Sequence, residues 1–264
     1  MSAMEDARIV VAKRAPVDPI AAARALHARF NVTSPDRINV ELIAAALGAY
    51  VLYGETGTAD ARVVRAGDVA YFCIAREHRD TPRARFSIGH ELGHPTLHRG
   101  IDGIDLIHGT RQKTGREHRI EAEADLFASE LLLPCALLKP WTRIAEPALA
   151  DVAQVARVFT TSLSATMRKW AEIADAPCAY VESRAGKVTE AKRSRGWRGV
   201  AVKGRALEVG SAAWGIGRDE TLAEGVVTRV HREAWGSGAL GGEVIEESVR
   251  VVGTGAVVTW LRHR

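Results

Sequence analysis

Apolar residues recur along this chain with two different periods, and the switches between them mark out its elements. From Asp18 to Phe30 an alanine-rich run places Ile20, Leu26 and Phe30 on one face at helical spacing. Asn39 is suited to cap a short helix through Leu47, and Gly48 is placed to end it. Three strand-like runs follow, Ala49 to Tyr53, Ala61 to Arg65 and Asp68 to Ala75, divided by Gly54 and Gly57 and then by Gly67-Asp68. Short strands joined by turn residues predict an antiparallel meander. Thr81-Pro82 predicts a helix start, because Thr caps and the first helical position does not use the N–H that Pro lacks. This helix carries His90 and His94. A loop with Gly100, Gly103, Gly109 and Gly115 leads to a second helix, Glu117 to Leu133, stopped by Pro134. Ala148 to Asp175 reads as two more helices around Thr160-Thr161-Ser162. Beyond Pro177 glycine becomes frequent, and short apolar runs appear at Val200-Ala201-Val202, Val249 to Val252 and Ala256 to Leu261. The change of texture predicts a separate β-rich or mixed module. The fold class expected is α+β, divided at residues 1–140, 141–176 and 177–264.

Composition narrows the setting. Apolar residues at 47% and charged residues at 26% are those of a globular chain and exclude a disordered one. Cys73, Cys135 and Cys178 are far apart and odd in number, which argues against a disulfide framework or a thiolate metal site and for a reducing compartment. The first residues, Met1 to Asp6, carry acids where a secretory signal carries bases, and the most apolar stretch, Ile43 to Tyr53, is too short to span a bilayer. The expectation is a cytoplasmic protein with no membrane partner. A net charge of +4 permits contact with nucleic acid without requiring it.

The candidate chemistry lies in His90-Glu91-Leu92-Gly93-His94. Helical residues four apart share a face, so the two histidines can present imidazoles to one tetrahedral zinc, with Glu91 beside the open position as general base. The plain alternative is a helix with surface histidines and a solvated glutamate. His98 continues the series but cannot be a third ligand: two turns, roughly 12 Å, separate it from His90. It reads as a packing or hydrogen-bonding residue. Pro95 is expected to disturb the helix after His94.

The second helix offers a better third ligand. Ile120, Ala124, Phe127, Ala128, Leu131 and Leu132 form one apolar arc, and Glu121 falls inside it, whereas Glu123 and Glu130 fall on the opposite, solvent-facing side. A carboxylate on a buried face is costly unless it is paired or holds a metal. The competing reading pairs Glu121 with Arg119 or Lys113, and Glu117 and His118 are weaker ligand candidates. Asp125, at the edge of the same arc, is placed to accept a ring N–H from a ligating histidine.

The run Arg85-Phe86-Ser87-Ile88-Gly89-His90-Glu91-Leu92-Gly93-His94, followed by Glu121-Ala122-Glu123-Ala124-Asp125-Leu126-Phe127-Ala128-Ser129-Glu130-Leu131-Leu132-Leu133-Pro134, resembles the ImmA/IrrE family of metallopeptidases. The likeness extends from the helix at Asn39 to the helices ending near Asp175. It implies a zincin-like fold of the gluzincin type, zinc held by His90, His94 and Glu121, and Glu91 as general base. It also implies cleavage of helix-turn-helix repressors, which derepresses DNA-damage, stress or mobile-element genes. The best-known members carry a helix-turn-helix-like segment and a GAF-like sensor after the peptidase, where this chain has residues 148–175 and 177–264. Pro95 departs from the aliphatic residue usual in relatives.

Two further features bear on partners. Val152, Val155 and Phe159, with Leu163, Met167 and Trp170, make an apolar seam at helix-turn-helix spacing, and Arg168 and Lys169 are candidates to face a phosphate backbone. Few residues there suit base edges, which favours a scaffold role. From Arg184 to Arg205 eight basic residues stand against the single acid Glu190, a solvated loop or linker, or a weak electrostatic dock for nucleic acid or an acidic partner. The rivals to a repressor-cleaving peptidase are a DNA-binding or signalling regulator with a structural zinc, and a peptidase-like partner in a toxin–antitoxin or phage-immunity operon. Oligomeric state is not legible.

Overall fold

The structure, a computed structural model, describes residues 17–55, 61–66, 69–98, 115–198, 203–219, 221–235 and 242–263. The turns expected at Gly57 and Gly67-Asp68, the glycine loop before Gly115 and the run Val200-Ala201-Val202 lie outside them.

Helix α1 (Pro19–Arg29) starts where the Asp18 carboxylate accepts the N–H groups of Ile20 and Ala21. Helix α2 (Val40–Ala46) is capped by Asn39, whose side chain accepts from the Leu42 N–H, and Gly48 (φ +83°) turns the chain into β1 (Ala49–Gly54). With β2 (Ala61–Ala66) and β3 (Val69–Ala75) this makes a three-stranded sheet of order β1-β3-β2. The expected meander is therefore wrong. β3 lies between the other two, antiparallel to β2 and parallel to β1. It buries Phe72 and Ile74 at its centre, whereas the β2 sequence includes Arg62 and Arg65. Charged strands tolerate an edge better than the middle of a sheet.

Helix α3 (Pro82–Leu97) is capped by Thr81, which accepts the Ala84 N–H at 3.2 Å. The helix continues through Pro95 instead of breaking after His94. The Leu92 carbonyl accepts the Thr96 hydroxyl at 2.7 Å, and the His94 carbonyl accepts the His98 N–H at 2.8 Å. Proline three residues from the end costs few helical bonds.

Helix α4 (Gly115–Leu132) buries the expected arc, Ile120, Ala124, Phe127, Ala128 and Leu131. α3 and α4 meet through small residues. A methyl built on Gly89 would stand 3.3 Å from Ala128 Cβ, and one on Gly93 would stand 3.1 Å from Ala124 Cα and 3.3 Å from Phe127 Cδ1. Residues ascending on α3 face residues descending on α4, so the helices run antiparallel in close contact.

After the short α5 (Cys135–Leu138), helices α6 (Leu149–Phe159) and α7 (Leu163–Ile173) form the expected pair. Thr160 takes the left-handed conformation between them, and Ser162 caps the second. Glu130 on α4, expected to face solvent, is 1% exposed. Its carboxylate accepts the Lys169 ammonium at 3.0 Å and the Arg24 guanidinium at 3.0 Å, joining α1, α4 and α7. Burial opposes both buried charges, yet their mutual hydrogen bond and attraction outweigh it, holding Glu130 below its ordinary value of 4.5 and Lys169 above its ordinary 10.5.

The chain ends in a five-stranded sheet of order β5-β4-β8-β7-β6, antiparallel throughout. Its strands are β4 (Cys178–Arg184), β5 (Lys187–Arg193), β6 (Thr228–His231), β7 (Glu243–Val251) and β8 (Ala256–Arg262), with the short α8 (Ala212–Ile216) before β6. Period-two alternation sends Cys178, Tyr180, Val258 and Trp260 to one face, where they join the core of α1 to α7. Trp260 meets Trp170 edge-on, and its indole N–H donates to the Pro147 carbonyl. The other face, with Ala179, Val181, Val257 and Leu261, covers a second core closed by Trp197, Trp235 and α8. Among the described residues no helix is long and apolar enough to cross a membrane.

Two outcomes are expected. Gly93→Val should cost about 1–3 kcal/mol by overpacking against the α4 backbone, read as a lowered urea midpoint. Glu130→Ala should cost about 3–5 kcal/mol by stranding Lys169, and adding Lys169→Met should restore part of that loss. The stabilisation from the wild-type pair should fade as pH falls below about 4.5, through the lowered carboxyl value, or climbs past about 10.5, through the raised ammonium value.

Candidate metal centre

Because α3 and α4 approach so closely, side chains beside the glycines meet across the interface. His90 Nε2 and His94 Nε2 lie 3.2 Å apart, and the Glu121 carboxylate stands 3.7 Å from each. One ligand atom from each of the three residues falls within 4.8 Å of the others. Ligands at about 2.0–2.1 Å from a tetrahedral zinc are about 3.3 Å apart, so the spacing fits such an ion. The donor set fits as well: two imidazole nitrogens and a carboxylate oxygen are one of the sets that hold catalytic zinc and leave a fourth position open.

Hydrogen bonds orient both rings. His90 Nδ1 donates to Asp125 Oδ1 at 2.9 Å, the link expected for Asp125, and this leaves the Nε2 lone pair facing Glu121 and His94. His94 Nδ1 lies 3.3 Å from His98 Nδ1, and His98 Nε2 donates to Glu123 Oε2 at 3.0 Å. Glu123 was expected in solvent, but it is part-buried, and Arg119 reaches it at 3.5 Å from the preceding turn. The sequence reading missed the partner of His98. The helical wheel gave no signal for it, because it turns Glu123 away from the apolar arc. Glu91 is 4% exposed, on the same helix as the two histidines.

A groove of about 780 Å³ opens beside this cluster. Asp125 lines it, as do Phe86, Ala122, Leu126 and Ser129, with α7 and β5 forming the far wall. The Phe86 ring lies 6.4 Å from the His90 ring, and Leu126 is half-exposed in the groove.

The basic residues of α7 are engaged within the protein. Lys169 is buried on Glu130, and Arg168 donates to Glu190 at 2.6 Å while lying over the Tyr180 ring. The expectation that they face a phosphate backbone is corrected: β5 and α4 present acids where the helix pair alone looked open. Within residues 184–205, Arg184 pairs with Glu182, Lys192 with Glu172 and Arg205 with Glu208.

Residues 44–170 match the family model described as the IrrE N-terminal-like domain, Peptidase_M78. A search of the curated proteins gives no match. Among solved structures, a Mycobacterium tuberculosis transcriptional regulator superposes with a TM-score of 0.54 at 13% identity, over 93% of this chain and 76% of that one. At that identity the likeness concerns the fold alone. The matched region contains α3, α4 and all the clustered residues, so residues 44–170 form a domain similar to the IrrE N-terminal-like peptidase domain.

Proposed function

We propose that this chain is a zinc-dependent endopeptidase of the gluzincin type that cleaves a helix-turn-helix transcriptional repressor in the cytoplasm, relieving repression of stress, DNA-damage or mobile-element genes. The observation that carries the reading is the convergence of His90, His94 and Glu121 within ligand distance, with Glu91 buried on the same helix. In it His90, His94 and Glu121 hold the ion. When bound, zinc lowers the pKa of water and polarises a carbonyl. Glu91 takes the proton of the attacking water and returns it to the leaving amine. Asp125 keeps His90 in the tautomer that points Nε2 at the ion. The groove beside Asp125 has the volume and apolar lining to seat a stretch of polypeptide. Residues 177–264 are assigned a regulatory role, because every ligand and base candidate precedes Pro134.

The fold neighbour, a transcriptional regulator, favours a second reading: a DNA-binding or signalling regulator with a structural metal. Glu91 separates the two, since a structural site needs no base and closes its coordination sphere.

Purified protein with zinc should cut a helix-turn-helix repressor, the first to try being any encoded in a neighbouring gene, with fragments identified by mass spectrometry. Glu91→Gln should keep zinc and lower cleavage by about 10²–10⁴-fold, because the amide cannot take a proton. Undiminished cleavage in that variant removes the general-base role. Metal analysis should find one zinc per chain, lost in His90→Ala, His94→Ala or Glu121→Ala. Full occupancy in Glu121→Ala removes the third ligand.

A further inference from the structure

The two histidines of the cluster are oriented differently. His90 is held directly by a carboxylate, Asp125, whose side chain is 58% exposed. His94 is more deeply buried, and its Nδ1 faces a second imidazole, His98, which in turn reaches Glu123. The order of these contacts points to one arrangement of protons. A Glu123 carboxylate accepts from His98 Nε2, and a His98 imidazole that carries its proton there offers Nδ1 as an acceptor. His94 Nδ1 must then donate, which leaves His94 Nε2 with a bare lone pair, the atom 3.2 Å from His90 Nε2 and 3.7 Å from Glu121.

We propose that His98 and Glu123 are positioning residues for the metal centre: a His94–His98–Glu123 relay that sets the tautomer of His94 and strengthens it as a ligand. This rests on the metallopeptidase reading above. A bland account, in which His98 only fills space, explains its burial but not why its far nitrogen meets a carboxylate at 3.0 Å. The geometry of the helices supports the relay. His98 lies one turn beyond His94, too far along the axis to share an ion with His90 but in reach of the neighbouring ring, the two centroids being 5.5 Å apart. Glu123 extends from α4 to meet it, and Arg119, one turn earlier, approaches its other oxygen. The cluster thus has a carboxylate behind each imidazole, one in direct contact and one through an intervening ring.

The test uses the full chain and zinc. Glu123 is not in the apolar core, so Glu123→Ala should leave the urea midpoint of the metal-free protein near the wild-type value. Zinc affinity, measured by competition with a chromophoric chelator, should fall about 10–100-fold, the usual effect of removing a partner behind a ligand. Glu123→Gln should recover most of that affinity, since its amide oxygen still accepts from His98 Nε2. Nitrogen NMR of the metal-free wild type should show His98 protonated at Nε2 and His94 at Nδ1. Equal zinc affinity in wild type and Glu123→Ala overturns the proposal, as does an equal loss in Glu123→Ala and Glu123→Gln, or His98 protonated at Nδ1. Wild-type protein that binds no zinc would overturn the metal-centre reading together with the relay. Normal zinc binding with flat variant affinities would overturn the relay alone.

Discussion

Helices α3 and α4 approach most closely where small residues face one another: Gly89 lies on Ala128, and Gly93 lies on Ala124 with the edge of Phe127 beside it. Each glycine weakens its helix by roughly 0.5–1 kcal/mol relative to alanine. The separation so reached is what lets side chains of ordinary length span the gap. At a wider separation Glu121 could not stand 3.7 Å from both histidines, nor could Asp125 reach His90. The His90-Glu91-Leu92-Gly93-His94 segment therefore does two jobs on the side of α3 that meets α4. The histidines face the cluster, and the glycine between them sets how near the other helix may come.

Holding that interface requires the rest of the domain to clamp it, and the clamp is partly ionic. Glu130, one face away from the cluster on α4, ties α1 through Arg24 and α7 through Lys169. Breaking such a buried pair costs more than forming it contributes, because a lone charge would remain in the interior. The Glu130–Lys169 contact thus ties α7 to the helix that carries Glu121 and Asp125. α7 in turn rests on the C-terminal sheet through Trp170 and Trp260. That sheet is buried on both faces, one in the core shared with the helices and one in its own. The sheet is thus in packing contact with α7, and through it with α4.

Much of this was legible in the sequence because it depends on local rules. Asp18, Asn39, Thr81 and Ser162 cap the helices they precede, and the apolar arc of α4 is buried as its spacing requires. The three clustered residues and Asp125 follow from helical periodicity plus the cost of burying a carboxylate. What the sequence alone determined is thus which faces exist and what chemistry each carries, since the helical and strand periods are properties of the backbone itself. Which element covers each face depends on partners distant in the chain, and only the tertiary structure decided that. The meander failed because β3 was free to pair on both sides, and its apolar centre made the middle place the favourable one. Glu130 and Lys169 each looked solvent-exposed on its own helix, and each became buried once α7 packed on α4. Glu123 looked solvated until His98 arrived from the other helix, bringing a ring nitrogen that needs an acceptor.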